Sequence, residues 1–403
     1  MIEVGLLMEQ LPSTTDRSTS NQRICAVALF VVLFLCSSLR WNVGVDTWHT
    51  YTPEYLAMKS QHTELSQEEN QLIDGCYRLL ARLDWGYSKD QTERLTHEEA
   101  MNFFTTTSNH TSVGFRAMEW GLIFLGADVQ WLYIVTSLFI LAFVFAAIRK
   151  QSNAMLLASI MFVLTGNFFL SLNIVSQYMA ISVCLFACTF AQERKPIPFF
   201  ALVAFAACFH VSALVFIPVY FLPKLNIRPR WCIAGIAGTL VIAQFGSPIL
   251  AKIVSAIVPA YARYFEYSAE FEWIFFAIGL AVFAVSSYYF EKGKDKPYFK
   301  IWYYSNVIGL LALCFSAHIP YIKRINHYFA AMHMLFLPLI IVCEEKPSWR
   351  KAMTAIMLVL FAAEMIVAIG ILNKNGIFPY QMFFWRSRTD VTEGMLECIP
   401  GLW

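Results

Sequence analysis

Residues 196–223 are apolar except at their middle, where His210 and Ser212 interrupt the run. A bilayer hydrocarbon core about 30 Å thick takes roughly 20 helical residues to cross. The run is too long for one upright crossing and too short for two. Both flanks are basic, with Arg194 and Lys195 before it and Lys224, Arg228 and Arg230 after it. Short basic loops favour the cytoplasm, so both ends belong on that side. A re-entrant hairpin over 196–223, two short helices meeting at His210 near the far face, reconciles length with charge. One tilted span with a basic outer flank is the competing arrangement.

Further apolar runs fall at 24–39, 131–148, 154–172, 174–190, 232–250, 271–290, 299–317, 327–342 and 353–372. Together they predict an all-α, polytopic integral membrane protein of about nine full transmembrane helices plus the hairpin. The chain is 58% hydrophobic and 14% charged. A soluble domain averages about 45–50% apolar and about 25% charged. Basic loops at Arg149-Lys150, 193–195, 291–296 and 345–351 read as cytoplasmic, which places the N-terminus inside and the C-terminus out.

The domain reading follows in chain order. Residues 1–23 are a polar cytoplasmic tail and 24–39 a retained first span. Residues 40–130 form a small extracytoplasmic helical lobe with an interfacial helix, 131–372 the transmembrane bundle, and 373–403 an outer C-terminal tail. Within the lobe, 74–82 and 93–104 show amphipathic helical spacing, with Leu79, Leu80 and Leu83 as an apolar stripe.

Polar groups cluster on the outer side in four places. The stretch after the first span carries Arg40, Asp46, Trp48 and Tyr51; the interfacial helix carries Arg116 and Glu119. Gln177 stands at the start of one span, and Lys323 and Arg324 sit in an outer loop against the basic-inside tendency, followed by Tyr328. Each has a plainer explanation. Arg40 can be a snorkelling anchor, Asp46 a turn cap, Glu119 a partner of Arg116, His210 a packed kink residue and the aromatics an interfacial belt. Convergence on one membrane face favours function, because ionisable groups at membrane depth are costly.

These residues resemble the EpsG family, the Wzy-like polymerases of bacterial exopolysaccharide and O-antigen. The shared pattern runs as Arg40, Gly44, Asp46 and Tyr51; then Glu119-Trp120-Gly121; then His210-Val211-Ser212-Ala213-Leu214; then Arg324-Ile325-Asn326-His327-Tyr328-Phe329. Relatives usually carry Arg-Gln entering the fourth span, whereas Ser176-Gln177 stands here. The resemblance implies transfer of a growing glycan from undecaprenyl pyrophosphate onto the next lipid-linked repeat unit. That reaction would occur at the outer face of a bacterial inner membrane. Arg40, Arg116, Lys323 and Arg324 would then meet pyrophosphate, with Gln177, Trp48, Tyr51 and Tyr328 as further substrate contacts.

His210, Asp46 and Glu119 are the candidate catalytic residues. His210 ranks first as base because an imidazole accepts a proton readily at neutral pH. No metal or cofactor is expected, for the sequence has no D-x-D, Walker or H-E-x-x-H element. Expected partners are the lipid-linked oligosaccharide, the bilayer, and a flippase and chain-length regulator of the same pathway, with no nucleic acid. A lipid-linked glycan flippase or transporter and a membrane glycan acyltransferase are the alternative activities.

Overall fold

The structure, a computed structural model, describes residues 16–41, 43–107, 112–257, 270–319, 321–377 and 380–384. Among these the chain is helical, with no strand beyond one isolated bridge between Arg40 and Met382. Helix α1 (Asp16–Ser38) leads to a π-helical turn (Thr47–Tyr51) and a group of short helices: α2 (Thr52–Ser60), α3 (Gln67–Leu83), α4 (Lys89–Glu93), α5 (His97–Thr107) and α6 (Val113–Phe124). The apolar helices follow as α7 (Val129–Gln151), α8 (Met155–Leu164), α9 (Asn167–Asn173), α10 (Val175–Gln192) and α11 (Pro196–Phe209). A 3₁₀ helix (Val211–Lys224) comes next, then α12 (Pro229–Ile257), α13 (Trp273–Tyr288), α14 (Phe290–Gly293) and α15 (Phe299–Leu313). The last are α16 (Lys323–Ala330), α17 (His333–Val342) and α18 (Pro347–Met365), which ends in a π-helical segment (Ile366–Ile371).

Among the described residues four helices are long and apolar enough to cross a membrane, or up to six if each of two bent pairs is one span. The expected continuous run 154–172 is one such pair, bent by 54° between α8 and α9. Gly166 sits at the break with φ 72°, a left-handed backbone that favours glycine and that no hydropathy window registers. The other pair, α16 and α17, bends by 42°. Helix α1 starts at Asp16, upstream of the apolar run, since a helix once nucleated extends readily through neutral polar residues.

Local chemistry explains the short helices. Ser66 caps α3 in a capping box: its hydroxyl accepts from Glu69 N at 3.2 Å, and Glu69 returns an acceptor to Ser66 N at 3.0 Å. Ser88 and Gln91 repeat the arrangement at α4. Of the expected stripe, Leu79 and Leu80 are buried and Leu83 is half-buried, and Leu72, Ile73 and Cys76 of α3 are buried with them.

The 196–223 run folds as two short helices that reverse at His210. Phe199 of α11 packs on Tyr220 of the 3₁₀ helix, ring centroids 5.4 Å apart. Arg194 Nη1 donates to Tyr220 O at 2.9 Å, and Tyr220 Oη donates back to Arg194 O at 3.2 Å, so the ends of the run lie side by side. Pro218 and Pro223 lie within the second half and lack the N–H donors an α-helix needs. That is a physical reason for its tighter winding.

Part of the expected C-terminal tail packs on the bundle as a strap. Residues 375–377 and 381–383 pair with residues 39–41 and 43–45: Trp41 N donates to Gln381 O at 2.8 Å, Gly44 N to Gly376 O at 3.0 Å, and Phe383 N to Leu39 O at 3.1 Å. The rest of the expected tail, 385–403, lies outside the described residues.

Candidate functional site

Four separated segments meet around the hairpin tip. Gly44 has φ 98°, and a Cβ there would meet Leu172 O at 2.7 Å, so only glycine lets this turn sit on the end of α9. The close approach delivers Asp46 N to Asn173 Oδ1 at 3.0 Å, while Asn173 Nδ2 donates to Asn375 Oδ1 of the strap at 3.2 Å. Gly114 makes a matching contact for α6, where a Cβ would lie 2.9 Å from Cys208 O. The helix carrying Arg116 and Glu119 therefore rests directly on the hairpin tip. Gln177 Nε2 donates to Arg324 O at 2.6 Å, tying α10 to α16.

At the tip, His210 Nδ1 lies 2.5 Å from Ser212 Oγ, and Ser212 Oγ donates to Tyr328 Oη at 3.0 Å. With the serine proton directed at Tyr328, Nδ1 carries the ring proton and Nε2 keeps a lone pair. Arg324 lies within electrostatic reach of both Asp46 and His210. Its guanidinium sits 5.0 Å from the Tyr321 ring centroid. Tyr321 has φ 60°, a conformation rare for a bulky side chain and often found at functional sites. Among the described residues Arg324 makes no ion pair, whereas neighbouring Lys323 is held by Glu272 at 2.8 Å.

Burial pushes the Asp46 carboxyl up from the usual carboxylate range, and Arg324, then His49, pull it back. His49 Nε2 is bonded to Asp84 Oδ2 at 2.8 Å, and that bond raises its imidazole above its ordinary value despite burial. Tyr51 Oη accepts from Ser176 N at 3.1 Å and lies 3.4 Å from Ser176 Oγ. Ser176 thus holds Tyr51 in place.

Asp46, His210, Arg324, Tyr328, Gln177 and Tyr51 belong to this one neighbourhood. The other candidates stand apart in instructive ways. Arg40 is 1% exposed, its guanidinium 5.0 Å from the Tyr133 ring centroid, with Nε and Nη2 buried and lacking hydrogen-bond partners. Tyr380 and Tyr51 are its other near neighbours. Trp48 and Tyr51 are 2% and 4% exposed and present no free ring face for stacking. Arg116 and Glu119 sit on α6 with a residue the sequence reading passed over, Glu54 of α2. The available signal was an acid amid Tyr55, Leu56, Ala57 and Met58, all buried.

Among the described residues no group of three or more His, Cys, Asp or Glu side chains could hold a metal ion. The donor set is cationic, hydroxylic and carboxylic, suited to anions and sugar hydroxyls.

A helical fold with long apolar spans and ionisable groups gathered at one place among them defines a multi-pass membrane protein. The chain belongs to the EpsG family, whose pattern matches residues 23–382. No curated protein and no solved structure matches it.

Proposed function

We propose that the protein is a Wzy-type polysaccharide polymerase. It transfers a growing glycan from an undecaprenyl-pyrophosphate carrier to a hydroxyl of the next lipid-linked repeat unit. The observation carrying this reading is the meeting of Arg324 with Asp46 and the His210–Ser212–Tyr328 chain. Membership of the EpsG family supports it.

In this reaction the bond from the sugar's anomeric carbon to the pyrophosphate oxygen breaks, and a bond to the acceptor oxygen forms. The hydroxyl proton goes to a base, and undecaprenyl pyrophosphate leaves. Arg324 stabilises the charge developing on the pyrophosphate, its planar fork matching two phosphate oxygens. His210 Nε2 takes the proton, with Ser212 and Tyr328 holding the tautomer. Asp46 receives the acceptor sugar's hydroxyl, and Arg40 supplies buried positive charge near Tyr51. Lys323, Arg116 and Glu119 act at the margin.

The topology we propose has about nine spans, with helix 273–288 among the shorter ones, and residues 40–130 outside as a lobe. The hairpin is re-entrant, and the site faces the periplasm of a bacterial inner membrane. A flippase supplying lipid-linked units and a chain-length regulator are partners of such an enzyme. Cysteine-accessibility labelling in cells is expected to reach the neighbourhood of His210 from outside and that of Lys224 from the cytoplasm. Labelling of Arg228→Cys from outside would replace the hairpin with an ordinary span.

The function itself is tested in a deletion strain. Surface glycan is expected to collapse to a single repeat unit while lipid-linked precursor accumulates. Normal chain length with a missing acyl group would instead assign an acyltransferase, and precursor trapped on the cytoplasmic side would assign a flippase.

A further inference from the structure

Two aromatic side chains stand exposed beside the site in polar surroundings. Trp85 is 40% exposed and Tyr87 39%, whereas Trp48 and Tyr51, the aromatics expected to meet substrate, are buried. The exposed pair flanks Gly86 in the turn that ends α3. Gly86 has φ 68°, and a Cβ there would meet nothing within 4 Å, so the backbone between the two rings is open. Tyr87 N donates to Ala81 O at 3.1 Å, which folds this turn back onto its helix. The rings are held as well. The Trp85 centroid lies 5.5 Å from Tyr77, 5.3 Å from Phe103 and 5.8 Å from Tyr87, at interplanar angles of 80°, 77° and 60°. Among the described residues no ring stacks parallel on Trp85.

A lipid surface is the plainer occupant, and charge argues against it. Residues 84–99 carry five acidic side chains and only two basic ones, a poor match to an anionic bilayer surface. The lobe has another face suited to lipid: Val113 and Phe124 of α6 and the following Leu125 are 81%, 84% and 78% exposed. A pyranose fits the Trp85–Tyr87 patch better. Its apolar C–H face carries partial positive charge and meets the negative face of an aromatic ring, while its hydroxyls need polar neighbours. One such neighbour is Asp84, next to Trp85 in the chain. Its Oδ2 accepts from His49 Nε2 at 2.8 Å, and the side chain is 48% exposed, so Oδ1 is open to a hydroxyl. The same bond ties the patch to the site, because His49 lies three residues beyond Asp46 on the π-helical turn.

We propose that Trp85 and Tyr87 form a glycan-binding platform, on which a pyranose ring of the saccharide held at Asp46 stacks. No bond is made or broken there; the rings hold the chain near the reacting groups. The identity of the occupant rests on the polymerase reading.

The test uses purified full-length protein in detergent and neutral oligosaccharides made by partial acid hydrolysis of the host's surface glycan. Saturation-transfer NMR is expected to show sugar C–H protons in contact with the wild-type protein. Trp85→Leu and Tyr87→Leu keep an apolar side chain but lose the ring, and each is expected to weaken binding about tenfold. Trp85→Phe keeps a ring and binds more tightly than Trp85→Leu. No binding by wild type, or unchanged binding by both leucine variants, overturns the proposal. In nanodiscs containing brominated phospholipid, the fluorescence difference between wild type and Trp85→Phe is expected to stay unquenched. Quenching would give these rings to the lipid interface and overturn it. These arms do not depend on the polymerase reading. In cells both leucine variants are expected to shift banding towards shorter chains at unchanged protein level while still joining repeat units. Wild-type banding from both would overturn the assignment of the occupant. Absence of polymer from wild type contradicts the function instead.

Discussion

Arg324→Lys is expected to cut polymer yield by about 100-fold or more at unchanged protein level, the scale on which removing one preorganised charge-stabilising donor acts. The substitution keeps the positive charge, so a purely topological or Coulombic role would survive it. A role in gripping two phosphate oxygens would not. The structure gives Arg324 the attributes of a working cation: no ion pair among the described residues, the Tyr321 ring 5.0 Å from its guanidinium, and its carbonyl pinned by Gln177. Lys323 has its charge met by Glu272 at 2.8 Å, and Lys323→Ala is expected to cost far less. Polymer banding at matched membrane abundance reads both. Wild-type polymer from Arg324→Lys would remove this residue from the chemistry.

The next largest effect is expected at His210. His210→Gln should lower polymerisation by about 10² to 10⁴, the usual contribution of a general base. Glutamine retains hydrogen bonding to Ser212 but offers no basic nitrogen, so folding and activity part company. Asp46→Asn is expected to raise the acceptor requirement more than it lowers the maximal rate, since Asp46 is assigned to the acceptor hydroxyl. The opposite pattern, with His210→Gln active and Asp46→Asn dead, would transfer the proton to Asp46. The carboxyl raised by burial beside Arg324 is equipped to receive it.

Much of the helical layout was legible because hydropathy is a local property. The runs expected at 131–148, 174–190 and 299–317 appear as helices Val129–Gln151, Val175–Gln192 and Phe299–Leu313. Their ends shift because caps, not apolar content, set helix boundaries. Asp128, whose carboxylate accepts from Gln130 N at 3.4 Å, starts α7 two residues before the expected run. The break at Gly166 was passed over for a different reason: Thr165, Gly166 and Asn167 are a short interruption between two strongly apolar stretches, and a long hydropathy window averages them into one run.

Long-range pairing was beyond a single sequence. Nothing local announces that residues 375–377 and 381–383 pair with 39–41 and 43–45, since those bonds join backbone to backbone and carry no side-chain signature. Asn173 is a polar residue between apolar runs, and nothing in the sequence shows that it bridges Asp46 to Asn375. The motif residues His210, Ser212 and Tyr328 were visible one by one; their hydrogen-bonded order was not. Glu54 was missed because a lone acid at the edge of a four-residue apolar run looks solvated until the fold buries it.

Polymerisation is tested most directly with the purified protein in lipid vesicles, supplied with a single polyprenyl-pyrophosphate-linked repeat unit and no nucleotide. The account expects a ladder of lipid-linked products spaced by one repeat, with one polyprenyl pyrophosphate released per new bond and neither formed by Arg324→Lys. A repeat unit that crosses the bilayer unchanged, or that gains mass without a new glycosidic bond, would contradict it.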